Sequence, residues 1–501
     1  MSFRTSDSLT LSEIRGGLKL VIKDGLAAEA MTTLTGGTFL VAIALYLGAS
    51  NFQVGLLAAL PILTNISQLI AIWLVQQYNN RRGVAVICNF LARFPLLFIA
   101  LLPWLFSKET SLQVLIFLLF FHYLFGSIAG ASWNSWMKDL VPEKKLGTYF
   151  SRRSRMIQIL SVTLSLLIAV SLDYVKTNHS AYEMPAYSIM FLAGGLIGIW
   201  GVYILSRTPE PKGKVIPDNL FVLFRRALAN TNFRNLVVFN SFWSFALNLA
   251  TPFFTVYMIK TIGLSFSYII GLGILSQLSS IFSIKMWGGY SDKFSNKTII
   301  SIAGPIYVVC MIAWTFTAMP SSPWLTSLLL ILINIFSGVA TAGINLAITN
   351  IGIKLAPKEE AIVYISARNM VVAFFSAIAP LVGGLMADFF ATHQLVWNIE
   401  WKGPSGVKQI SLLDLQHWNF LFLIGALLAT LSLRKLKHVI ETGEIHKTVL
   451  VKRMKTTFKT SVTEKLNTPV FRFISSPVLI PTIATLNMLK YVEKRMMNMW
   501  K

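Results

Sequence analysis

Few residues in this chain are placed to take up or pass on a charge inside an apolar setting. Glu29, Arg93 and His122 each lie within long apolar runs. An ionisable group inside a bilayer is costly and is a functional candidate by default. His122 is a proton-coupling candidate because imidazole changes charge near physiological pH; the competing reading is a hydrogen-bonded contact between helices. Glu29, about one helical turn into its run, is the second proton-coupling candidate. Its alternative is to bind backbone groups or Arg81. The two differ in depth by more than about 10 Å at the helical rise per residue, so they are not expected to be direct partners. Arg93 reads as structural, holding adjacent helices through polar partners. Cys88 and Cys310 fall inside apolar segments and offer neither a disulfide framework nor a CxxC motif. No GxxxxGK[ST], HExxH or GxSxG is present, so nothing points to ATP hydrolysis or to those hydrolases. The expectation is a non-enzyme with no cofactor and no metal.

The elements that hold these residues follow from composition. Hydrophobic residues make up 54% of the 501 and charged residues 13%, whereas a soluble domain carries about a quarter charged residues. Lipid must cover such a surface. Apolar runs of the roughly 20 residues that span a bilayer recur near 26–48, 52–76, 84–105, 113–137, 153–173 and 187–206. A second set follows near 236–260, 267–288, 298–319, 325–350, 362–391 and 418–434. Spans of this length are helices, because each must satisfy its own backbone. The fold class is all-α and polytopic, with twelve transmembrane helices in two six-helix bundles.

The net charge of +23 does not indicate nucleic acid, since nearly all Lys and Arg lie between apolar runs or in the tail. Counting them between spans puts both termini in the cytoplasm. The start of the chain is polar and basic, without the apolar core of a cleavable signal peptide. These features suit a bacterial cytoplasmic membrane. The expected domains are a first bundle over 1–206, a linker over 207–235 with a surface helix in LFVLFRRALAN, a second bundle over 236–434 and a basic tail over 435–501.

The two bundles repeat one another. One ungapped shift places Tyr149 on Tyr364, Ser151 on Ser366, Arg153 on Arg368 and Asp173 on Asp388. Parallel six-helix repeats are a transporter plan.

GGYSDKFSNK at 288–297, between the eighth and ninth spans, resembles the cytoplasmic loop signature of the major facilitator superfamily. Gly288, Asp292, Lys293 and Lys297 match the signature, while Ser295 and Asn296 depart from it. The same shift reaches WLVQQYNNRR at 73–82, where Gln77 stands in the Asp position and only Arg81 and Arg82 survive. HYLFGSIAG in the fourth span is similar to the family's Arg-x-x-x-Gly pattern, with His122 in the Arg position. APLVGGLMAD in the eleventh span resembles a Gly-Pro-x-x-Gly-Gly element that drug antiporters of the family carry in the fifth. The fifth span here lacks it, which argues against drug efflux. No subfamily is identified.

The resemblance implies that the first and fourth spans of each half line a central cavity. Thr35, Asn134, Asn240, Trp243, Asn248, Asn334 and Asn345 are the cavity candidates, with Trp133 and Trp136 nearer the membrane boundary as anchors. It also implies a cytoplasmic gate, in which Asp292 and Lys293 meet Arg153 or Arg155. Its mirror at Arg368 lacks a charge at Gln77. The expected function is secondary active transport of a small solute by alternating access, coupled to a proton or ion. The alternative is a lipid or glycolipid translocator on the same fold. The expected partners are the solute, the coupling ion and membrane lipids, with no nucleic acid, and the protein is expected to be monomeric.

Overall fold

The computed structural model describes residues 9–142, 146–211, 225, 228–293, 295–318, 322–357, 361–403 and 406–441. Eleven helical segments among them are long and apolar enough to cross a membrane. The remaining pass is the second, split into α3 (Asn51–Leu63) and α4 (Gln68–Tyr78) by a short 3-10 turn after Pro61. Proline removes an intrahelical donor and crowds the preceding turn, which favours such a break. Twelve passes therefore stand where the apolar runs place them.

In the first half, α1 (Leu11–Thr35) and α2 (Gly37–Tyr46) form one pass, bent at Gly36 and Gly37. Gly37 has φ +56, a conformation that only glycine adopts cheaply. The third pass is α5 (Arg81–Arg93), α6 (Pro95–Ile99) and α7 (Leu102–Leu105), interrupted at its prolines. The half is completed by α8 (Lys108–Leu140), α9 (Leu146–Asn178) and α10 (Glu183–Leu205). The second half comprises α11 (Thr231–Tyr257), α12 (Phe266–Lys293), α13 (Asn296–Thr315), α14 (Pro323–Leu355), α15 (Ala361–Phe390) and α16 (Trp418–Lys435). At about 1.5 Å per residue, α8 and α14 are longer than a bilayer core is thick.

An antiparallel hairpin, β1 (Gln394–Gly403) and β2 (Gly406–Gln416), joins α15 to α16, with a bulge at Trp397/Asn398. The pattern of apolar runs gives that loop no structure. Residues 436–441 also turn back onto the bundle beyond the expected boundary at 434: Asn232 pairs with the backbone of Ile440, and Val439 is fully buried. Most of the linker helix, and the tail from 442, lie outside the described residues.

The bundle has two ends. One, the basic end, carries the described chain ends and most of the Lys and Arg; the opposite one is called the far end. Across the halves, α3 packs along α15 and α9 along α12. The α3–α15 contact is backbone on backbone: a Cβ at Gly55 would stand 2.2 Å from the Pro380 oxygen, and one at Gly384 2.7 Å from the Asn51 oxygen.

Candidate functional site

A cavity of about 410 Å³ opens among the first four passes, lined by amide, hydroxyl and imidazole groups that include Asn65, Gln68, His122, Tyr123, Ser127 and Asn134. Such a volume lies in the range that holds small molecules. His122 points one ring nitrogen, Nδ1, at the Ala92 oxygen 2.7 Å away. A carbonyl only accepts, so Nδ1 carries the hydrogen and Nε2 is the acceptor of the neutral ring.

Arg93, at the edge of this lining, belongs to a buried ion pair. Arg93, 4% exposed, meets Asp24, also 4% exposed, at 3.4 Å and donates from Nη1 to the Gly198 oxygen at 2.6 Å. Small residues on α10 make room for it: a Cβ at Gly201 would lie 2.7 Å from Arg93 Nη1 and 3.1 Å from Asp24 Oδ1. The structural role expected of Arg93 fits these contacts. Asp24 is absent from the candidates named from sequence because KDG at the edge of an apolar run looks like a boundary charge rather than an interior one. Glu29, half-buried on α1, lies with Asp24 in the electrostatic field of Arg153.

Of the cavity candidates, Asn134 lines the pocket. Thr35 is turned away: its hydroxyl donates to the Met31 oxygen at 2.9 Å, and its methyl faces Gly194 of α10. Trp243 is 2% exposed and packs on Phe239 and Tyr307 inside the second half. Asn240 is buried, while Asn248 and Asn334 donate to the carbonyls one turn back, at Ser244 and Leu330. Asn345 is exposed on α14. Trp136 is no boundary anchor, because its ring is fully buried and its indole donates to the Pro209 oxygen at 3.1 Å.

The gate arginines lie within their own halves. Arg153 stacks over Trp133, 4.9 Å from the ring, and packs against Gly25 of α1. Arg368 donates to the Ile348 oxygen at 3.1 Å. The shift that pairs Arg153 with Arg368 also pairs Trp133 with Ile348, so each arginine ties its helix to the same place on its neighbour. Arg155 is exposed. Asp292 and Lys293 end α12, and their side chains lie outside the described residues.

At the far end the halves are joined by two carboxylates. Asp173, at the end of α9, accepts from the Phe266 and Ser267 backbone N–H groups, each at 2.7 Å, and so caps α12. Asp388, at the end of α15, accepts from Asn51 at 3.1 Å and Phe52 at 3.0 Å, and so caps α3. A carboxylate there satisfies otherwise unpaired donors and meets the positive end of the helix dipole. His417 stands beside this contact, with Nε2 3.5 Å from Asn51 Nδ2. Burial, aided by Lys260, holds its imidazole below the ordinary value, against the pull of Asp388.

At the basic end one glutamate plays the same part within each half. Glu210 accepts from Arg81 N at 2.8 Å and Arg82 N at 3.1 Å, capping α5, while Arg81 also meets Asp139 at 2.5 Å. Arg81 is thus not a partner of Glu29. Glu441 accepts from Ser295, Asn296 and the Lys297 N–H at 2.7–2.8 Å, and from Lys354 at 3.0 Å, capping α13. Burial raises the Glu441 carboxyl, but these donors outweigh it and hold the group below its ordinary value. Ser295 and Asn296, the positions that depart from the loop signature, are therefore the ones that bind Glu441.

Comparison with known proteins agrees with this fold. No curated protein sequence matches the chain. Among solved structures, the nucleoside transporter NupG superposes with a TM-score of 0.62 at 13% identity, covering 86% of this chain and 99% of that one. A D-xylose–proton symporter gives 0.60 at 13% identity, over 87% and 98%. An inward-facing bacterial homologue of the human lysosomal transporter Spinster gives 0.55 at 15% identity, over 85% and 94%. At such identities the likeness is one of fold. The sequence profile of the Major Facilitator Superfamily matches residues 25–380, most of the two-bundle body, and the chain belongs to that superfamily.

Proposed function

We propose that the chain is a secondary active transporter that carries a small solute across a bacterial cytoplasmic membrane by alternating access, driven by a proton or another ion. The observation that carries this reading is the exchange of carboxylate caps at the far end. Asp173 closes a helix of the second half and Asp388 a helix of the first, while a polar pocket lies in the first half. Four hydrogen bonds to helix ends can be broken and remade as two bodies rock, which alternating access requires. With the basic end in the cytoplasm by the distribution of Lys and Arg, this arrangement is the inward-open state.

Asp24, paired with Arg93, joins Glu29 and His122 as a proton-coupling candidate. Asp292, with Lys293, would meet Arg153 or Arg155 in the opposite, outward-open state. In that state Arg153 must leave Trp133. The protein works as a monomer among membrane lipids, without a cofactor, and its activity is transport rather than chemical turnover. The names of the neighbouring nucleoside transporter and xylose–proton symporter are in keeping with such a solute carrier.

The test is proton flux in liposomes holding the purified full chain, with a solute panel added under an imposed pH gradient. Solute-dependent flux that vanishes in Asp24→Asn, in protein that still folds and still binds the solute, supports proton coupling at this ion pair. Solute uptake without proton flux would move the reading to another ion or to uniport. A lipid or glycolipid translocator is the second reading, favoured by an apolar groove of about 350 Å³ between α4 and α5, lined by Leu74, Val84, Ile87 and Cys88. Flipping of a labelled lipid without uptake of any solute would establish it.

A further inference from the structure

We infer that the pocket of the first half recognises an uncharged solute rich in hydroxyl groups, of monosaccharide to nucleoside size, and that His122 contacts it as a neutral hydrogen-bond acceptor. This rests on the transport reading for its setting and goes beyond it in naming the ligand class.

The first observation is the state of the charges. Arg93 is the charged side chain among the lining residues. Its guanidinium faces Asp24 from two nitrogens at 3.4 Å and the Gly198 oxygen at 2.6 Å. The positive charge is thus balanced, and its donors are turned into the contact between α1, α5 and α10. An anionic solute finds no uncompensated cation in this lining, and a cationic one finds no free carboxylate. A charge brought from water against this lining without a partner loses hydration and gains no ion pair.

The second observation is the mixture of donors and acceptors. Asn65, Gln68 and Asn134 bring amide N–H₂ and carbonyl groups, and Tyr123 and Ser127 hydroxyls, part of which is already engaged: Asn65 Oδ1 accepts from Gln68 Nε2 at 3.3 Å and from Ser127 Oγ at 3.5 Å. His122 adds an acceptor at Nε2, because Nδ1 is committed to Ala92 O at 2.7 Å. A solute hydroxyl is itself both donor and acceptor, so a ring carrying several of them can engage this lining fully. A purely apolar solute would displace water from these amides and hydroxyls and return no hydrogen bond for it. The His122 and Tyr123 rings, 5.0 Å apart and edge to face, supply apolar surface for the face of a sugar or base ring.

A consequence separates this role from proton carriage. Protonating Nε2 would turn an acceptor into a donor and place an uncompensated charge near Arg93. His122 then serves binding in its neutral form, and coupling belongs to Asp24 or Glu29.

The experiment is a binding measurement on the full chain in lipid nanodiscs, using matched probes. D-ribose is compared with its phosphate ester, uridine with uridine monophosphate, and D-glucose with D-glucosamine and D-gluconate. The expected result is saturable binding of at least one neutral member, with its charged counterparts at least tenfold weaker. Asn134→Ala, Tyr123→Phe and His122→Gln should each weaken that binding by about two- to tenfold, the worth of one net hydrogen bond. Each variant is first shown to keep the melting temperature of the unsubstituted protein. Tyr123→Phe removes a single oxygen and guards against a general packing defect.

Charged probes that bind as tightly as neutral ones overturn the inference, as do variants without effect or a panel in which nothing binds. Uptake assays on the same protein keep the two readings apart. Neutral binding without uptake sinks the transport reading and leaves the pocket assignment, while uptake restricted to anions or lipids does the reverse. For His122→Gln, the solute KM should rise while the number of protons moved per solute stays the same. Loss of proton movement at unchanged KM would return His122 to the coupling role.

Discussion

Asp173 and Asp388 occupy equivalent places in the two halves, and each caps a helix of the other half. Asp173 holds Phe266 N and Ser267 N at the start of α12, and Asp388 holds Asn51 N and Phe52 N at the start of α3. The pairing repeats because the first half was, in effect, copied into the second, and contact between copies then generates itself twice. Losing one capping carboxylate costs about 0.5–2 kcal/mol. Asp173→Ala and Asp388→Ala should therefore each shift the population toward far-end opening by roughly two- to thirtyfold, and the double variant by the product. Spin-label distances across the far end check this, and unchanged distances in the double variant would remove the caps from the gate.

The far-end contact should also respond to acid. His417 is held below its ordinary value of 6.5 by burial and Lys260. A histidine whose value is depressed in the closed state stabilises that state above its ordinary range, and the contribution fades as pH falls below it. Protonation would also set a second donor against Asn51 Nδ2. Opening at the far end is thus expected to become easier below about pH 6, and His417→Gln should flatten the dependence. An identical pH profile in that variant would clear His417 of any part.

Glu441 makes a prediction of the same form at the basic end. Its carboxyl lies below the ordinary 4.5, so its stabilisation is present above that value and disappears as pH falls through the lowered one. Glu441→Gln should lower the melting temperature at neutral pH through the loss of charge-assisted hydrogen bonds, each worth about 1.5–3 kcal/mol. The difference from the unsubstituted protein should vanish in strong acid. Truncation after Glu444 should keep the bundle folded, and truncation before Val439 should not. A gap between Glu441→Gln and the parent that persists at low pH would show that charge is not the cause.

The buried pair on α1 and α5 should be intolerant of losing one member. Arg93→Ala leaves Asp24 without its cation and is expected to cost about 3–5 kcal/mol. Adding Asp24→Asn to it should restore much of that loss. Gly201→Ala should destabilise through overpacking by about 1–3 kcal/mol, since the new methyl meets Arg93 Nη1 at 2.7 Å. Melting curves in detergent measure all three; an additive double variant would argue against direct pairing.

Much of this architecture is legible in the sequence. Twelve apolar runs, the repeat and the structural part of Arg93 follow from hydropathy and spacing, because lipid imposes a strong and regular pattern on sequence. The caps are not legible. Glu210 and Glu441 sit in segments that read as linker and tail, and a carboxylate that closes a distant helix leaves no local periodicity behind. Asp173 and Asp388 are visible as a repeated pair, but their targets on α12 and α3 depend on how the halves dock. The hairpin over 394–416 escapes notice because long loops between spans are read by charge rather than by alternation. Among cavity candidates, Asn134 reaches the pocket whereas Thr35 and Trp243 do not, since a helix assignment fixes depth but leaves the facing direction open.

The near-contact of Gly55 with Pro380 has an electrical consequence. A Cβ at Gly55 would lie 2.2 Å from the carbonyl oxygen, so no file of water threads between α3 and α15 at that level. With the far end closed in this way and the basic end open, as in the proposed inward-open state, the membrane voltage would fall mainly across the dry layer. On that reading the pocket shares the potential of the basic-end compartment. Moving one charge across 100 mV is worth about 2.3 kcal/mol, and little of that is felt by a solute or proton stepping between the pocket and the basic end. Voltage instead acts on the change of state that transfers the dry layer to the other side. The speed of that change, rather than the affinity of the pocket, should carry the voltage sensitivity of the whole cycle.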